Sequence, residues 1–312
     1  MRVIVPSDPF DRAVPDAAFA GEAELALARG LATSVVDVDR LSTEDEALGA
    51  VHRVAAGEAR EPAVYRGWMM PPERYARLHM ALGTRGVALL TSPAAYRLTH
   101  HLPCWYPSLA DHTPRSVWTP SPRRPYRTEL AHLLSAFGDH ALVLKDYVKS
   151  EKHAWNEACF IPRASDLDAV ERVLDRFIEL RDGNVEGGFV FREFVALEPV
   201  GVHPKSRMPL TREHRLVFWR GRLVAGGGYW EAGDPGAPPP AEPFASLAGT
   251  IASPFFTMDV ARRASGEWVI VVLGDGQVAG LRADQGLAAL YDALRGDASG
   301  ASGAPGIVSP AG

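Results

Sequence analysis

The sequence is short of cysteine, of unbroken apolar stretches and of net positive charge. Its only cysteines, Cys104 and Cys159, are too few for a disulfide framework and lack the spacing of a zinc site. No window approaches the ~18 consecutive apolar residues of a transmembrane helix. The N-terminal segment also lacks the apolar core and cleavage site of a signal peptide. These absences favour a cytoplasmic protein that does not engage a membrane.

Net charge argues against proteins that bind nucleic acid or anionic lipid through bulk charge, and glycine placement excludes the dinucleotide fingerprint. A formal net charge of −5 gives no bulk attraction to nucleic acid or anionic lipid, although charge can still be segregated into a local basic groove. The glycines do not form GxGxxG, so the dinucleotide fingerprint is absent. A chain of 312 residues is long for one hydrophobic core and indicates two or three packed units.

Short apolar runs alternate with helix-forming stretches in the N-terminal part of the chain. Such alternation is typical of a parallel sheet covered by helices. We predict strands at 2–5, 33–38, 62–66 and 86–91, with helices between them at 16–29, 43–57 and 72–83.

The rest of the chain is richer in strands. Residues 103–127 are rich in proline, which is excluded from helix interiors and central strands, so we predict a connector there. Ser165 is the expected N-cap of a helix, Arg220-Gly221 the expected turn of a hairpin, and the small-residue tail is expected to be disordered. We predict helices at 129–137, 165–180 and 285–295 and strands at 141–149, 188–197, 213–219, 222–225, 255–260 and 267–273.

A lysine interrupts the apolar strand ALVLKDYV. Burying an ammonium group without a partner is costly, so Lys145 either faces water at a sheet edge or meets an anion. Lys149, Ser150 and Lys152 follow directly. Two cations and a hydroxyl would suit phosphate oxygens, and a solvated turn is the alternative.

Two later strands combine basic and acidic residues. Arg192 and Glu193 are adjacent in FVFREFVAL and therefore point to opposite faces of a sheet. Glu213 and Arg215 alternate in EHRLVFW and share one face. One residue of the first set can point into a cleft while the other points away or pairs across the sheet, and an internal salt bridge is the alternative. The second set suits a ribose or metal ligand next to a phosphate clamp, and it equally suits a cross-strand ion pair, which is the commoner case.

Acidic side chains accompany the last two apolar strands. Asp259 lies in FFTMDVA, and Asp275 lies in LGDGQ. Carboxylates at the ends of neighbouring strands commonly hold Mg²⁺ on nucleotide phosphates, whereas LGDGQ alone is only a tight turn.

The order of these features resembles the ATP-grasp superfamily, in the clade named for two arginines and a lysine. The matching stretches are LVLKDYVKS, VFREFVALEP, EHRLVFWRGRLVAGGGYW and FFTMDVA…WVIVVLGDGQVAGL, and the likeness spans about residues 1–295. The resemblance implies an α/β fold with α+β elements. Its parts would be a Rossmann-like pre-ATP-grasp domain at 1–115, a small lid at 116–190, a mixed-sheet C-terminal domain at 191–296 and a disordered tail at 297–312.

The resemblance also implies the role of each candidate residue. Lys145 would contact the α- and β-phosphates of ATP. Arg192 and Arg215 would be the two arginines of the clade, and they would serve phosphate or acyl-phosphate oxygens. Glu213 would serve ribose or metal, and Asp259 would bind Mg²⁺. The other nucleotide contacts would be a mobile loop over ATP, with Lys149, Ser150 and Lys152, and a hinge that presents backbone groups to adenine, with Glu193, Phe194 and Val195.

One position departs from the family pattern. The family usually carries a metal-binding glutamate before LGDGQ, and Val272 stands in that place. An apolar side chain cannot bind Mg²⁺. Three alternatives follow: Asp275 takes over as ligand, or metal binding is weakened, or the protein binds ATP without turning it over.

The resemblance implies an ADP-forming ligase that uses ATP and Mg²⁺ to join a carboxylate to an amine through an acyl phosphate. A non-catalytic ATP-binding protein and an ATP-dependent phosphotransferase are the alternatives. We expect substrate contacts at Arg66, Trp68, Tyr96 and His100 and in the segment 203–209. The two substrates, small molecules or peptides, and the oligomeric state, a homodimer included, stay open.

Overall fold

The structure, a computed structural model, describes residues 1–57, 60–202, 209–231 and 234–300. The chain forms two compact units. The first contains Met1–Ser92 together with the chain from Gly280 onward, and the second contains Pro93–Ala279. Within the described ranges, no helix combines the length and the apolar character needed to cross a membrane.

The first unit is built on a parallel four-stranded sheet, as the alternating pattern predicts. Its strands are β1 (Arg2–Pro6), β2 (Ala32–Val36), β3 (Glu61–Tyr65) and β4 (Val87–Leu89), in the order β2-β1-β3-β4. Every neighbouring pair is parallel. The connections contain α1 (Ala17–Ala28), α2 (Glu44–Ala50) and α3 (Pro72–Thr84).

A closing helix, Leu287–Gly300, belongs to the same unit. The Tyr291 hydroxyl donates to Glu22 on α1 at 2.8 Å. The composition of residues 297–300 predicts that they belong to the disordered tail, but they form the end of this helix. Tertiary packing stabilises the earlier turns of the helix, and the small residues extend it. The remainder of the predicted tail, 301–312, lies outside the described residues.

The second unit begins with helices and an antiparallel sheet. This sheet has the strand order β5-β8-β6-β7, and all three neighbouring pairs are antiparallel. Its elements are α4 (Pro93–His100), α5 (Leu102–Leu109), β5 (Ser116–Trp118), α6 (Arg127–Leu134), β6 (Leu142–Asp146), β7 (Phe160–Ile161), α7 (Leu167–Arg181) and β8 (Phe189–Glu193).

Two sequence-based expectations are wrong in this part of the chain. The segment 103–127 is more ordered than a connector, since it contains most of α5 and the strand β5. Pro103 lies in the first helical turn, where its missing N–H would have no partner, and Pro107 lies inside α5, which ends two residues later. The strand β5 is an edge strand, where proline-rich sequence is tolerated. The N-cap of α7 is Asp166, not Ser165, because the Asp166 carboxylate accepts from the Ala169 amide.

A second antiparallel sheet follows, with the order β12-β11-β13-β14. The predicted hairpin turns at Arg220 and Gly221, whose φ angles are 48° and 73°, as a tight turn between twisted strands requires. A separate two-stranded ribbon pairs β9 with β10. The elements are β9 (Pro199–Val202), β10 (Pro209–Thr211), β11 (Glu213–Trp219), β12 (Arg222–Gly228), α8 (Ala241–Ala248), β13 (Phe255–Arg262) and β14 (Trp268–Asp275).

Alternation along the strands decides which side chains meet. Leu142 and Leu144 of β6 pack with α6 and α7 in one apolar core. Lys145 therefore points to the opposite face, which it shares with Val190 and Arg192 of β8. Val190 packs in a second apolar core with residues of β11, β13 and β14. The face that carries Lys145 and Arg192 is thus turned toward the second sheet.

Candidate active site

Lys145 is buried on β6, with 9% of its surface exposed. Its ammonium donates to the Asp146 carbonyl at 2.7 Å. Burial lowers the pKa of Lys145 to about 8; Asp146 opposes this shift, while the cations Arg192 and Lys152 add to it. A buried ammonium among other cations is stabilised when an anion arrives, so this position suits phosphate oxygens better than the water-facing alternative.

Arg192 is buried beside Lys145 and is held by neutral acceptors. Its guanidinium donates to the Thr113 hydroxyl and, at 3.1 Å, to the Ile270 carbonyl of β14. It also lies over the Trp105 ring, 5.9 Å from the centroid. Burial lowers the pKa of Arg192 to about 10. Among the described residues, no carboxylate forms an ion pair with this guanidinium.

Arg215 occupies the opposite situation on β11. It forms two parallel bonds of 2.8 Å to the Asp259 carboxylate, directly across from it on β13. Burial acts to lower the pKa of Arg215, but pairing with Asp259 outweighs it and the pKa is raised. Glu213 and Arg215 lie on the same face of β11, as predicted. Of the two alternatives for Arg215, a phosphate clamp or a cross-strand ion pair, the structure has the ion pair.

Glu213 and Lys152 complete a charged cluster with Arg215 and Asp259. Burial raises the pKa of Glu213 to about 7, with Lys152 acting against this rise and the Asp259 charge adding to it. Burial acts to lower the pKa of Lys152, but Glu213, Tyr229 and Asp259 together raise it. Lys152 also interacts with Lys145. It therefore connects the Lys145–Arg192 pair electrostatically to the acidic cluster.

Two aromatic residues border this cluster. The Lys152 ammonium lies 5.3 Å from both the Tyr229 and the Trp230 ring centroids, and the Arg215 guanidinium lies 5.0 Å from Tyr229. Cations over aromatic faces are attracted by the ring quadrupole. The sequence reasoning did not single out this pair, although it ends the matching stretch EHRLVFWRGRLVAGGGYW.

The predicted metal residues lie on two different faces of the second sheet. Val272 of β14 stands directly across from Asp259, so the adjacent-strand arrangement expected for these positions is present. Asp275 is paired with Phe256 and points to the apolar face that contains Leu273. There its carboxylate accepts from Thr99 and Gln277, each at 3.1 Å. The structure does not bring Asp275 to Asp259.

The carboxylates on the Asp259 face fit a Mg²⁺ ion that takes most of its ligands from phosphate and water. Such ions are usually held by one or two protein carboxylates. Asp259 and Glu213 share this face, and the repulsion between them raises the pKa of Glu213 further. Because both Asp259 oxygens accept from Arg215, a metal ion would compete with this ion pair.

The predicted loop and hinge are only partly available for a nucleotide. Lys149 is exposed and Ser150 is half-buried. At the hinge, the Glu193 amide donates to the Arg115 carbonyl and the Phe194 amide donates to the Ala141 carbonyl, each at 2.8 Å. Two of the three predicted hinge amides are therefore used by neighbouring chain segments, and Val195, half-buried, is the third.

An aromatic cluster that the sequence reasoning missed adjoins the hinge. Phe194 lies edge-on to Phe160 at 5.2 Å, and Phe160 stacks on Trp155 at 5.9 Å. Phe160 is paired with Val143, so it shares the face of Lys145. An exposed aromatic next to a hinge is a suitable surface for a planar base.

The candidate substrate residues lie in both units. In the first unit, Arg66 is fully buried and forms two bonds of 2.7 Å to Glu22, and the half-exposed Trp68 donates to Asp16. In the second, His100 is buried and stacks on Tyr96. Arg66 thus has a structural ion pair, which a substrate would have to replace. The segment 203–208 lies outside the described residues.

Comparison with solved structures supports the fold. A RimK-domain ATP-grasp protein from Sphaerobacter thermophilus is 15% identical, with a TM-score of 0.59 over 94% of this chain and 98% of that one. The D-cycloserine synthetase DcsG is 14% identical, with a TM-score of 0.58 over 95% and 99%. The ATP-grasp ligase PsnB, in complex with a minimal precursor, Mg and ADP, is 16% identical, with a TM-score of 0.55 over 95% and 98%.

The sequence itself gives the family assignment. No curated protein matches the chain. Residues 136–294 match the ATP-grasp domain, R2K clade family 3. This stretch contains Lys145, Arg192, Arg215 and Asp259, and it covers about half of the chain. The protein is therefore a member of the R2K clade of the ATP-grasp superfamily, with the ATP-grasp fold.

Proposed function

We propose that this protein is an ATP-dependent ligase that joins a carboxylate to an amine through an acyl phosphate. The observation that carries the proposal is the buried pair Lys145 and Arg192, which lies in an ATP-grasp chain and has no carboxylate paired with its guanidinium among the described residues. A polyphosphate would supply the missing negative charge. The solved relatives act on or bind small molecules and precursor peptides according to their names, so we propose substrates of these two kinds.

The reaction needs ATP because a carboxylate has no good leaving group. A carboxylate oxygen of the acid attacks the γ-phosphorus, the bond to the β–γ bridging oxygen breaks, and ADP leaves. The amine nitrogen then attacks the acyl carbon, the bond from that carbon to the phosphate oxygen breaks, and the nitrogen loses a proton. The products are an amide, ADP and phosphate.

The residues of the chain would bind and orient the reactants in this scheme. Lys145 and Arg192 would hold phosphate oxygens, because charge-assisted bonds inside a buried site are strong. Asp259 and Glu213 would hold Mg²⁺, which when bound supplies positive charge to the polyphosphate. Phe160 and Phe194 would cover the base, and Lys152 would reach the phosphates from the loop after β6.

A hydroxylamine trap tests the ligase proposal. The protein is incubated with MgATP, a panel of carboxylic acids and hydroxylamine, and hydroxamate and ADP are measured. The proposal expects equal amounts of both products, dependent on a particular acid. A stable phosphorylated product that hydroxylamine does not convert would indicate a phosphotransferase instead.

One observation favours a second function, a protein that binds ATP without turning it over. Val272 gives no carboxylate across from Asp259, and Arg215 holds both Asp259 oxygens. A weak metal site would leave the γ-phosphate poorly neutralised. Tight ATP binding together with no ADP formation for any acid–amine pair would select this function over the ligase.

A further inference from the structure

A group of two histidines and a glutamate lies in the second unit, and of these three only His100 is a candidate substrate contact. Glu186 Oε1 is 2.9 Å from His101 Nε2 and 3.3 Å from His100 Nε2. Both histidines are buried, at 4% and 5% exposure, and Glu186 is half-buried. The three candidate ligand atoms all lie within 4.8 Å of one another.

The chain brings two consecutive histidines to one point by ending a helix between them. Neighbouring residues inside a helix point about 100° apart, but α4 ends at His100, and His101 has the extended backbone of the residue before α5. The two rings are consequently almost parallel, with 29° between their planes and 5.6 Å between their centroids. Both Nε2 atoms therefore face the same carboxylate.

Glu186 is held in place through its backbone. Its amide donates to the buried Asp146 carboxylate, and its carbonyl accepts from the Tyr147 amide at 3.2 Å. Two glycines follow. A Cβ on Gly187 would be 2.1 Å from the Tyr147 ring, and one on Gly188 would be 2.2 Å from the Thr119 carbonyl oxygen. This close packing fixes the position from which the Glu186 side chain reaches the histidines.

Hydrogen bonding leaves one of the imidazoles unsatisfied. His101 Nε2 bonds to Glu186 Oε1, whereas in the part of the chain that the structure describes nothing hydrogen-bonds to His100 Nε2. The 3.3 Å contact between His100 Nε2 and Glu186 Oε1 does not form a hydrogen bond, and a buried ring nitrogen without a hydrogen bond costs free energy. A single ion at the centre of the group would bind both nitrogens and the carboxylate oxygen at once.

We propose that His100, His101 and Glu186 form a binding site for a divalent transition-metal ion, with Zn²⁺ the best match. Ligand atoms bound to one Zn²⁺ at about 2.0–2.2 Å lie roughly 3–3.5 Å apart. At Glu186, the 3.3 Å separation lies in this range and the 2.9 Å separation lies just below it. Two imidazoles and one carboxylate also form a donor set that borderline metals accept and Mg²⁺ does not prefer.

The site uses none of the residues assigned to ATP or Mg²⁺, although the Glu186 charge acts on Lys145, and its existence does not depend on the proposed ligase function. Three protein ligands leave a further coordination position for water or another small donor. The other candidate metal residues, Asp259 and Glu213, offer only oxygen donors. The histidine site offers nitrogen donors as well and would therefore bind a different kind of metal ion. A test can therefore separate the two sites by metal type.

Cobalt titration tests the proposal. The full chain is freed of metal with a chelator, exchanged into buffer with excess Mg²⁺ and no nucleotide, and titrated with Co²⁺ while its visible absorption is recorded. We expect one equivalent of Co²⁺ per chain, displaced by Zn²⁺. Glu186→Gln and His101→Ala should each weaken Co²⁺ binding by about a hundredfold or more, since changes even to residues that only support metal ligands cost about 10–100-fold.

Two matched controls keep the test specific. His132→Ala removes an exposed histidine and should leave Co²⁺ affinity unchanged. His140→Ala disrupts a surface histidine–glutamate pair, 2.8 Å apart at Glu193, that has only one imidazole, and it should also have no effect. Glu186→Gln preserves the shape of the side chain, so it reports on binding even if His101→Ala does not fold.

Either of two results would overturn the proposal. The first is wild-type protein that takes up no stoichiometric Co²⁺. The second is Co²⁺ binding that survives Glu186→Gln and His101→Ala but is lost in Asp259→Asn, which would place the ion at the other carboxylates.

Discussion

The two arginines expected to share one role, Arg192 and Arg215, lie in opposite electrostatic surroundings. Arg192 is buried against a hydroxyl, a carbonyl and an indole ring, and its pKa is lowered by burial. Arg215 is locked to the Asp259 carboxylate, and its pKa is raised although burial opposes the rise. The uncompensated cation attracts a further anion, whereas the paired one is already neutralised. We therefore expect phosphate to bind first at Arg192 and Lys145.

The first and largest effect is expected from Arg215→Met. This change leaves the Asp259 carboxylate, whose side chain is 4% exposed, buried without its partner. Breaking a buried pair from one side costs about 3–5 kcal/mol of stability. Urea unfolding measures the loss, and the double variant Arg215→Met with Asp259→Leu should recover most of it. Wild-type stability in the single variant would contradict the assigned pairing.

The second effect is a pH-dependent stabilisation by Glu213→Gln. The pKa of Glu213 is raised from 4.5 to about 7 in the folded protein, so the folded state binds more protons than the unfolded state between these values. Wild-type stability must then fall as the pH rises through this interval. Glu213→Gln removes the penalty, which is on the order of 3 kcal/mol.

Thermal unfolding of both proteins at pH 5 and pH 8 checks this prediction. The melting temperature of Glu213→Gln minus that of wild type should be larger at pH 8 than at pH 5. A difference that does not change with pH would mean that Glu213 keeps an ordinary pKa.

The third effect is expected from Arg192→Met. In contrast to Arg215→Met, this change should lower ATP affinity and leave stability nearly unchanged. The Ile270 carbonyl keeps its bond from Thr113 at 2.8 Å, so we expect stability to stay within about 1 kcal/mol of wild type or to rise. ATP affinity should fall by about tenfold, because a lost bond to a charged group costs about 1.5 kcal/mol. Calorimetric titration and melting curves measure the two quantities. A large loss of stability with unchanged ATP affinity would reverse the roles assigned to the two arginines.

The smallest effect is expected at the metal face. Val272→Glu places a carboxylate across from Asp259 and should lower the Mg²⁺ concentration needed for ATP binding or turnover by a few-fold. Asp275→Asn is the matched variant on the opposite face and should leave the Mg²⁺ dependence unchanged. A larger Mg²⁺ requirement in Asp275→Asn alone would restore Asp275 as the ligand.

Much of the fold follows from sequence pattern. Alternating apolar runs and helical stretches predict the parallel sheet of the first unit, and Arg220-Gly221 predicts the hairpin, because local periodicity and turn geometry decide both. Local rules mislead where tertiary contacts dominate, as at α5, whose Trp105 is buried in the core between the two sheets of the second unit.

The sequence predicts which residues belong to the candidate site, but it does not predict which of them form ion pairs with one another. Lys145, Arg192, Arg215 and Asp259 are recognisable as charges within apolar strands. Which of them form pairs depends on register across β11, β13 and β14, and a one-residue bulge between Asp259 and Val260 changes that register. The partners of Asp275 lie partly on α4, 176 residues away in sequence, and no local pattern announces them.

Binding of MgATP to wild type and Lys145→Met at pH 7 and pH 9, measured by titration calorimetry, tests the central claim most directly. With its pKa lowered to about 8, the Lys145 ammonium of the free protein is present at pH 7 and mostly lost at pH 9. We predict that wild-type affinity falls over this interval, and that Lys145→Met binds about thirtyfold more weakly at pH 7, or about 2 kcal/mol, with little further change at pH 9. Equal affinity of the two proteins at pH 7 would contradict a phosphate site at Lys145 and Arg192.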